Sequence, residues 1–135
     1  MTGANRRTTS KGASGRPLLV VAPVGAGRDE IFKSLCTCAA YRLFYAVTAA
    51  SAERMLREHA VEVVIASPEI SSATVSQLLL AKRRLRPDAP FLVIRNRQAE
   101  EPELWAKHGV GVLRCPLLPE ALGRSVDLVL GLGKR

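Results

Sequence analysis

The sequence predicts an α/β domain in which helices cover both faces of a five-stranded parallel sheet. From Pro17 onward, short apolar runs alternate strictly with amphipathic stretches. An uninterrupted apolar run of about 4–8 residues is typical of a strand that is buried on both faces. Strands that alternate with helices favour a parallel sheet, because each helix returns the chain to the edge where the next strand begins. The 135 residues suffice for one such domain.

The predicted strands are the apolar runs themselves, of which PLLVVA and VEVVIA are the most continuous. Because only 4% of the residues are aromatic, the core must be built mainly from Val, Leu, Ile and Ala. The strands are predicted at 17–22, 43–47, 61–66, 91–94 and 110–113.

The predicted helices lie between these strands and after the last one. Asp29 and Glu30 suit the positive N-terminal end of the first helix dipole. Ser51 is the expected N-cap of the second helix, and Pro87 stops the third. The helices are predicted at 29–40, 51–59, from Ser71 or Ser72 to Pro87, from Pro102 to Gly109, and from Pro119 to Gly131.

Charge divides the chain into two parts. The net charge is +8, and residues 1–16 contribute four basic residues and no acid. This segment has almost no apolar residues, so we expect a disordered basic tail over 1–16 and one folded domain over 17–132.

No apolar run reaches the roughly 20 residues that span a bilayer. The start lacks an apolar signal region, and three cysteines fit free thiols, so we expect a cytoplasmic protein.

Five fragments in order resemble one known family. They are LLVVAP, AYRLFYAVTAASAERML, VEVVIASPEI, LLLAKRRLRPDAPFLVI and AKHGVGVLRCPLLPEAL. Together they are similar to the receiver domain of bacterial response regulators, the CheY-like family with a flavodoxin-like strand order. The resemblance covers about residues 17–131. It implies a three-layer sandwich of five parallel strands and five helices, used in signal transduction.

The same resemblance puts unusual residues at the positions that carry the family's phosphorylation chemistry. Receivers bind Mg²⁺ through an acidic pair after the first strand, and neither Ala22 nor Pro23 has a side-chain oxygen. The phosphoacceptor aspartate falls on Ser67, the switch Ser/Thr on Arg95, the lysine on Cys115 and the switch aromatic on Val112. The resemblance therefore implies a pseudo-receiver that is not an enzyme and holds no metal or cofactor. A cis Cys115–Pro116 bond is also implied.

Several of these positions have alternative interpretations. Ser67 is either a loop-capping hydroxyl or a nucleophile, and Cys115 is either buried packing or a redox sensor. Arg95 either binds an anion at the strand-end crevice, or forms an ion pair with Glu69 or is solvated. The GAGRDE segment is similar to a dinucleotide loop but lacks its third glycine. An anion or nucleotide sensor is therefore the first alternative function.

The basic residues supply the second alternative, a nucleic-acid accessory protein. Six of them crowd together: Lys82, Arg83, Arg84, Arg86, Arg95 and Arg97. No aromatic residues interleave with them and no reader motif is present, so a solvated helix end is the competing interpretation.

The leading hypothesis is a phosphorylation-independent module that acts through protein–protein contacts. In receivers, the face formed by the fourth helix, fifth strand and fifth helix often forms homodimers, and we expect a protein partner or a second copy there. Trp105, the sole tryptophan, is the expected exposed anchor of this face, because exposed Trp and Arg are typical interface anchors. The competing interpretation is that Trp105 merely covers the short fourth helix. The face would carry Trp105, Lys107, Arg114, Arg124 and Asp127.

Overall fold

The computed structural model describes residues 15–36, 41–97, 102–115 and 120–130. Its strands are β1 (Arg16–Val21), β2 (Tyr41–Ala46), β3 (Val63–Ala66), β4 (Phe91–Arg95) and β5 (Gly111–Arg114). Its helices are α1 (Ala26–Cys36), α2 (Ala49–Glu58), α3 (Ser72–Leu85), α4 (Glu103–Lys107) and α5 (Ala121–Val129). All ten predicted elements are therefore confirmed, in the predicted order.

The strands form one parallel sheet in the order β2-β1-β3-β4-β5, and the predicted α/β fold class is confirmed. Neighbouring strands are in register at their carboxyl ends: Val21 lies opposite Ala46 on one side and Ala66 on the other. Because all five strands run in the same direction, the loops that follow them emerge at a single edge. We call this edge, defined by Ala22, Ser67, Arg95 and Cys115, the carboxyl edge.

Two apolar clusters hold the helices on the sheet. One face of the sheet packs against α2, α3 and α4 through side chains such as Leu56, Leu79 and Val93. The other packs against α1 and α5 through side chains such as Ile31 and Val126. The central strands have residues in both clusters, which explains why their sequences are continuous apolar runs rather than alternating ones.

The helix boundaries differ from the prediction where a better cap lies nearby. Ser51 is not the N-cap of α2; that residue is Thr48, whose hydroxyl accepts from the Ser51 backbone N–H at 3.1 Å. The Ser51 hydroxyl oxygen in turn accepts from the Thr48 backbone N–H at 3.1 Å, and the two hydrogen bonds form a capping box. Ser71 caps α3, as expected for one of two adjacent serines. α1 begins at Ala26, three residues before the predicted start at Asp29.

Some predictions fall on residues that the structure does not describe. Cys38, Pro119 and Gly131 lie outside the described residues, as do residues 1–14 of the expected tail. The division of the chain into a tail over 1–16 and a domain over 17–132 therefore stays a prediction. Among the described residues, no helix is both long and apolar enough to cross a membrane.

Trp105 corrects the most specific surface expectation. The sequence predicts an exposed interface anchor, whereas the indole is 0% exposed and packs in the cluster beneath α2 and α3. Its Nε1–H donates to Ser76 Oγ at 3.4 Å. α4 has only five residues, so it is too short to be stable without tertiary packing. The buried indole therefore fastens α4 to the sheet.

We predict that Trp105→Ala lowers the free energy of unfolding by about 3–5 kcal/mol, the usual cost of emptying a buried aromatic site. The exposed Phe32→Ala is the matched control, since Phe32 is 48% exposed; it should cost less than about 1 kcal/mol. Urea denaturation followed by circular dichroism measures both. Equal losses in the two variants would contradict the buried role of Trp105.

Candidate functional site

The residues that the sequence singles out are brought together at the carboxyl edge. The Ser67 backbone N–H donates to the Val21 carbonyl at 3.0 Å, so the first residue after β3 lies against the end of β1. The Cys115 N–H donates to the Arg95 carbonyl at 2.9 Å, which joins the ends of β4 and β5 in the same way. A crevice at this edge is where open α/β sheets bind ligands.

The same residues do not all face one pocket, because successive side chains of a strand point to opposite faces. Ala22 and Cys115 pack with the cluster beneath α1 and α5. The Arg95 side chain lies on the other face, where it donates to Ser72 Oγ at 3.1 Å. Its guanidinium carbon lies 5.2 Å from the Trp105 ring centroid, within cation–π range. Arg95 therefore contacts α3 and α4 rather than lining the α1 side of the crevice.

The Ser67 hydroxyl forms a hydrogen bond within its own loop. Its side chain is 0% exposed, and its Oγ donates to Glu69 Oε1 at 2.7 Å. The Glu69 carboxylate lies over the Gly27 backbone, where an added Cβ would overlap it. This position is the first turn of α1, and an anion is stabilised there by the free N–H groups and the helix dipole. The protein's own carboxylate thus occupies the place where a bound anion would otherwise be stabilised.

Arg28 is a crevice residue that the sequence analysis does not single out. Its guanidinium donates to the Ala22 carbonyl, with Nη2 at 2.6 Å and Nε at 3.2 Å. It also lies 4.6 Å from the Tyr45 ring centroid. The Ala22 side chain has no hydrogen-bonding group, and the Ala22 carbonyl already accepts from Arg28. The sequence feature that could have identified Arg28 is a basic residue in the GAGRDE segment, which follows β1 and begins α1.

The environment of Cys115 favours the neutral thiol. Burial raises the pKa of the Cys115 thiol, and the nearby carboxylates of Glu30 and Glu69 raise it further. The thiolate is the reactive form of cysteine, so these surroundings oppose both nucleophilic and redox chemistry at this position. Pro116 lies outside the described residues, and the expected cis Cys115–Pro116 bond stays a prediction.

The Arg28 guanidinium at the crevice is already engaged, because it donates to the Ala22 carbonyl. Glu30 and Glu69 are both close enough to affect the pKa of Cys115, and both carry negative charge. In the described part of the chain, no group of three or more His, Cys, Asp or Glu side chains is arranged to hold a metal ion. A cavity of about 400 Å³ lies at the other end of the sheet, near the amino ends of β3 and β4. Val61, Pro90 and Val129 are among the residues that line it.

Most residues of the basic run have partners within the fold, although Arg83, Arg84 and Arg97 are exposed. Lys82 is 7% exposed, and its Nζ donates to the carbonyls of Pro87 and Ala89. Burial lowers the pKa of Lys82, with Arg83 acting in the same direction. Four further residues of the run have intramolecular partners: Arg83 with His108, Arg84 with Glu53, Arg86 with the carbonyls of Leu56 and His59, and Arg95 with Ser72.

The predicted partner face is reduced to three basic residues. Lys107 and Arg124 are exposed, and Arg124 pairs with Glu120 one turn earlier on α5 at 2.8 Å. Arg114 donates to the Asn96 carbonyl at 3.0 Å. Asp127 does not share this face: it accepts a hydrogen bond from the Tyr41 hydroxyl at the start of β2, the strand at the far edge of the sheet. Its direction follows from the rotation of α5, which buries Val126 against the sheet.

We predict that Glu69→Gln lowers the pKa of Cys115 and makes alkylation of this thiol several-fold faster at about pH 8, because the thiolate fraction rises as the nearby negative charge is removed. Glutamine keeps an acceptor for the Ser67 hydroxyl. Iodoacetamide labelling followed by peptide mass spectrometry separates Cys115 from Cys36 and Cys38. The control Glu58→Gln lies at the far end of α2 and should leave the rate unchanged. No acceleration in Glu69→Gln would contradict the coupling.

No protein-family model matches the sequence, and no curated protein matches it. The receiver domain of the sensor histidine kinase PA1611 from Pseudomonas aeruginosa, solved with magnesium in its active-site cleft, is similar in structure. Its TM-score is 0.70 at 14% identity, over 87% of this chain and 98% of that chain. The chemotaxis protein CheY4 from Vibrio cholerae gives a TM-score of 0.67 at 20% identity, over 85% of this chain and 98% of that chain.

A response-regulator receiver domain from Methanospirillum hungatei gives a similar result. Its TM-score is 0.69 at 17% identity, over 90% of this chain and 98% of that chain. Sequence identities this low support a common fold and nothing more. The strand order of the sheet agrees with that fold. The chain therefore has the CheY-like, flavodoxin-like fold of response-regulator receiver domains.

Proposed function

We propose that this chain is a receiver-like regulatory module that acts through protein–protein contacts without being phosphorylated. The observation that carries the proposal is the contact between Ser67 and Glu69. A buried hydroxyl stands at the position that the resemblance gives to the phosphoacceptor, and it donates to a carboxylate that covers the first turn of α1. This arrangement leaves neither a carboxylate nucleophile nor an open anion site at that position.

The neighbouring positions support the same conclusion. A receiver needs acidic oxygens to hold Mg²⁺ beside the phosphoacceptor, and hard cations bind oxygen ligands. Ala22 and Pro23 provide no side-chain oxygen, and the Ala22 carbonyl accepts from Arg28. Cys115 replaces a lysine that would carry positive charge, and two carboxylates lie close to its thiol. These residues support a module without the metal ligands and the lysine at the positions that the resemblance assigns to them.

Without a chemical switch, the output must come from the surface of the module. We keep the α4, β5 and α5 face as the proposed partner site, now defined by Lys107, Arg114 and Arg124. These side chains are all basic and the chain has a net charge of +8, so an acidic surface on a protein partner is the best match. The proposal assigns this interaction to the bacterial cytoplasm, in keeping with the receiver fold.

The two alternatives receive less support from the described residues. An anion or nucleotide sensor needs available positive charge in the crevice, whereas Arg28 donates to the Ala22 carbonyl and Arg95 donates to Ser72 on the other face. The carboxylates of Glu30 and Glu69 also raise the pKa of Cys115. A nucleic-acid protein needs an accessible basic surface, whereas Lys82 is buried and Arg86 donates to backbone carbonyls of the same fold. Of the run, Arg83, Arg84 and Arg97 are exposed.

We predict that the protein takes up no label when it is incubated with Mg²⁺ and acetyl phosphate, because the carboxylate nucleophile and the metal ligands are missing. Mass spectrometry of the intact protein measures the uptake. A receiver with an intact acidic pair and aspartate, such as the CheY-type neighbours, is the positive control under identical conditions. A stoichiometric phosphate that hydroxylamine removes, which is the signature of an acyl phosphate, would overturn the proposal.

A further inference from the structure

Two arginines are held together on the outer surface of α2 and α3. Arg57 and Arg84 both donate to the same oxygen of Glu53, Oε2, at 2.9 Å and 2.5 Å. Their side chains nevertheless remain 60% and 58% exposed. A guanidinium has several N–H donors, so one hydrogen bond to Glu53 leaves most donors of each arginine available. Glu53 therefore positions the two guanidinium groups without covering them.

This surface carries more positive charge than its own acid balances. Arg57 and Arg84 bring two positive charges and share the one negative charge of Glu53. Arg83, the neighbour of Arg84, is also exposed, and its Nη1 lies 3.3 Å from His108 Nε2 on α4. An imidazole ring supplies no negative charge to balance this guanidinium. A ligand that brings further carboxylates would therefore complete the charge balance of the surface.

An exposed leucine lies among these arginines. Leu80 is 54% exposed on α3, and it precedes Arg83 and Arg84 by one helical turn, so it is their neighbour on the helix surface. The two arginines extend in different directions, Arg83 to α4 and Arg84 to α2, which leaves Leu80 between them. We call Arg57, Leu80, Arg83 and Arg84 the α2–α3 patch.

We propose that the α2–α3 patch binds an acidic segment of a partner protein, in which Asp or Glu side chains flank an apolar side chain. A carboxylate of the segment accepts hydrogen bonds from Arg57 and Arg84, whose planar groups suit a carboxylate. The apolar side chain of the segment covers Leu80, which adds hydrophobic stabilisation. The patch is a second docking site, separate from the α4, β5 and α5 face, and it does not depend on the absence of phosphorylation.

Charge and chemistry favour a protein segment over two other occupants. A nucleic-acid strand carries a negative phosphate at every nucleotide, so it would bring phosphates toward the Glu53 carboxylate as well as toward the arginines. The patch also has no aromatic side chain on which a base could stack. A second copy of this chain in a two-fold contact would place the same arginines against each other. An acidic segment with an apolar residue avoids all three costs.

The test is fluorescence anisotropy of the full chain with two labelled peptides. The first peptide is composed of Glu, Ala and Leu, and the second has Ser in place of every Leu. We expect the first peptide to bind about fivefold more tightly than the second, because only its leucines bury Leu80. Added salt should weaken the binding of both peptides, because it screens the charges of the arginines.

Substitutions then assign the binding to the patch. Arg84→Gln should weaken binding of the Leu-containing peptide about fivefold, and Leu80→Ala should remove most of the difference between the two peptides. The matched controls lie on α1, which packs on the opposite face of the sheet. Lys33→Gln removes one exposed positive charge, and Phe32→Ala removes an exposed apolar side chain. Each control should change the affinity by less than about twofold. Circular dichroism verifies that all four variants are folded.

Equal affinities of the two peptides for the unaltered chain, or equal losses in Arg84→Gln and Lys33→Gln, would overturn the proposal. A single-stranded oligonucleotide that loses more affinity than the peptide in Arg84→Gln would also overturn it, since the patch would then serve nucleic acid. Loss of peptide binding in the double variant Lys107→Gln with Arg124→Gln, but not in Arg84→Gln, would place the segment on the α4, β5 and α5 face. That outcome overturns this inference and leaves the proposed function intact.

Discussion

Burial of the central strands on both faces is the constraint on which the rest of the structure depends. β1, β3 and β4 contribute side chains to both apolar clusters, so helices must cover each side of the sheet. Parallel strands satisfy this requirement, because every connection then crosses one face as a helix. The same arrangement places the ends of all strands at one edge. The site geometry, including the meeting of Ser67 with β1, is therefore a consequence of how the core is buried.

The sequence predicted the sheet well because its signals are local or repetitive. The apolar runs, the proline that ends α3 and the glycine after α4 each act within a few residues of the boundary they set. The N-cap of α2 was wrong because Thr48 and Ser51 are both good caps, and the capping box uses both. Residue type alone does not decide between two hydroxyl residues that lie three positions apart. Boundary errors of this size leave the topology intact.

The site was harder to predict, because side-chain direction depends on tertiary packing. Arg95 follows the alternation of β4 and so lies with Trp105, while Ser67 turns into its own loop to reach Glu69. Trp105 had two interpretations, an exposed anchor or a cover for the short fourth helix, and the buried indole agrees with the second. Asp127 was expected on the partner face of α5. Its hydrogen bond from the Tyr41 hydroxyl, which lies on the opposite edge strand, could not be predicted from the sequence. Each error concerns a contact between residues distant along the chain.

We propose that the receiver-like fold of this chain surrounds a crevice that does not bind Mg²⁺, the metal on which receiver chemistry depends. Titration of Mg²⁺ into the ¹⁵N-labelled protein, followed by amide chemical shifts, tests this most directly. The account predicts that the amides of Ala22, Gly27 and Ser67 do not shift in a saturable way, while a receiver with an intact acidic pair does so under the same conditions. Saturable shifts confined to these three amides would contradict it.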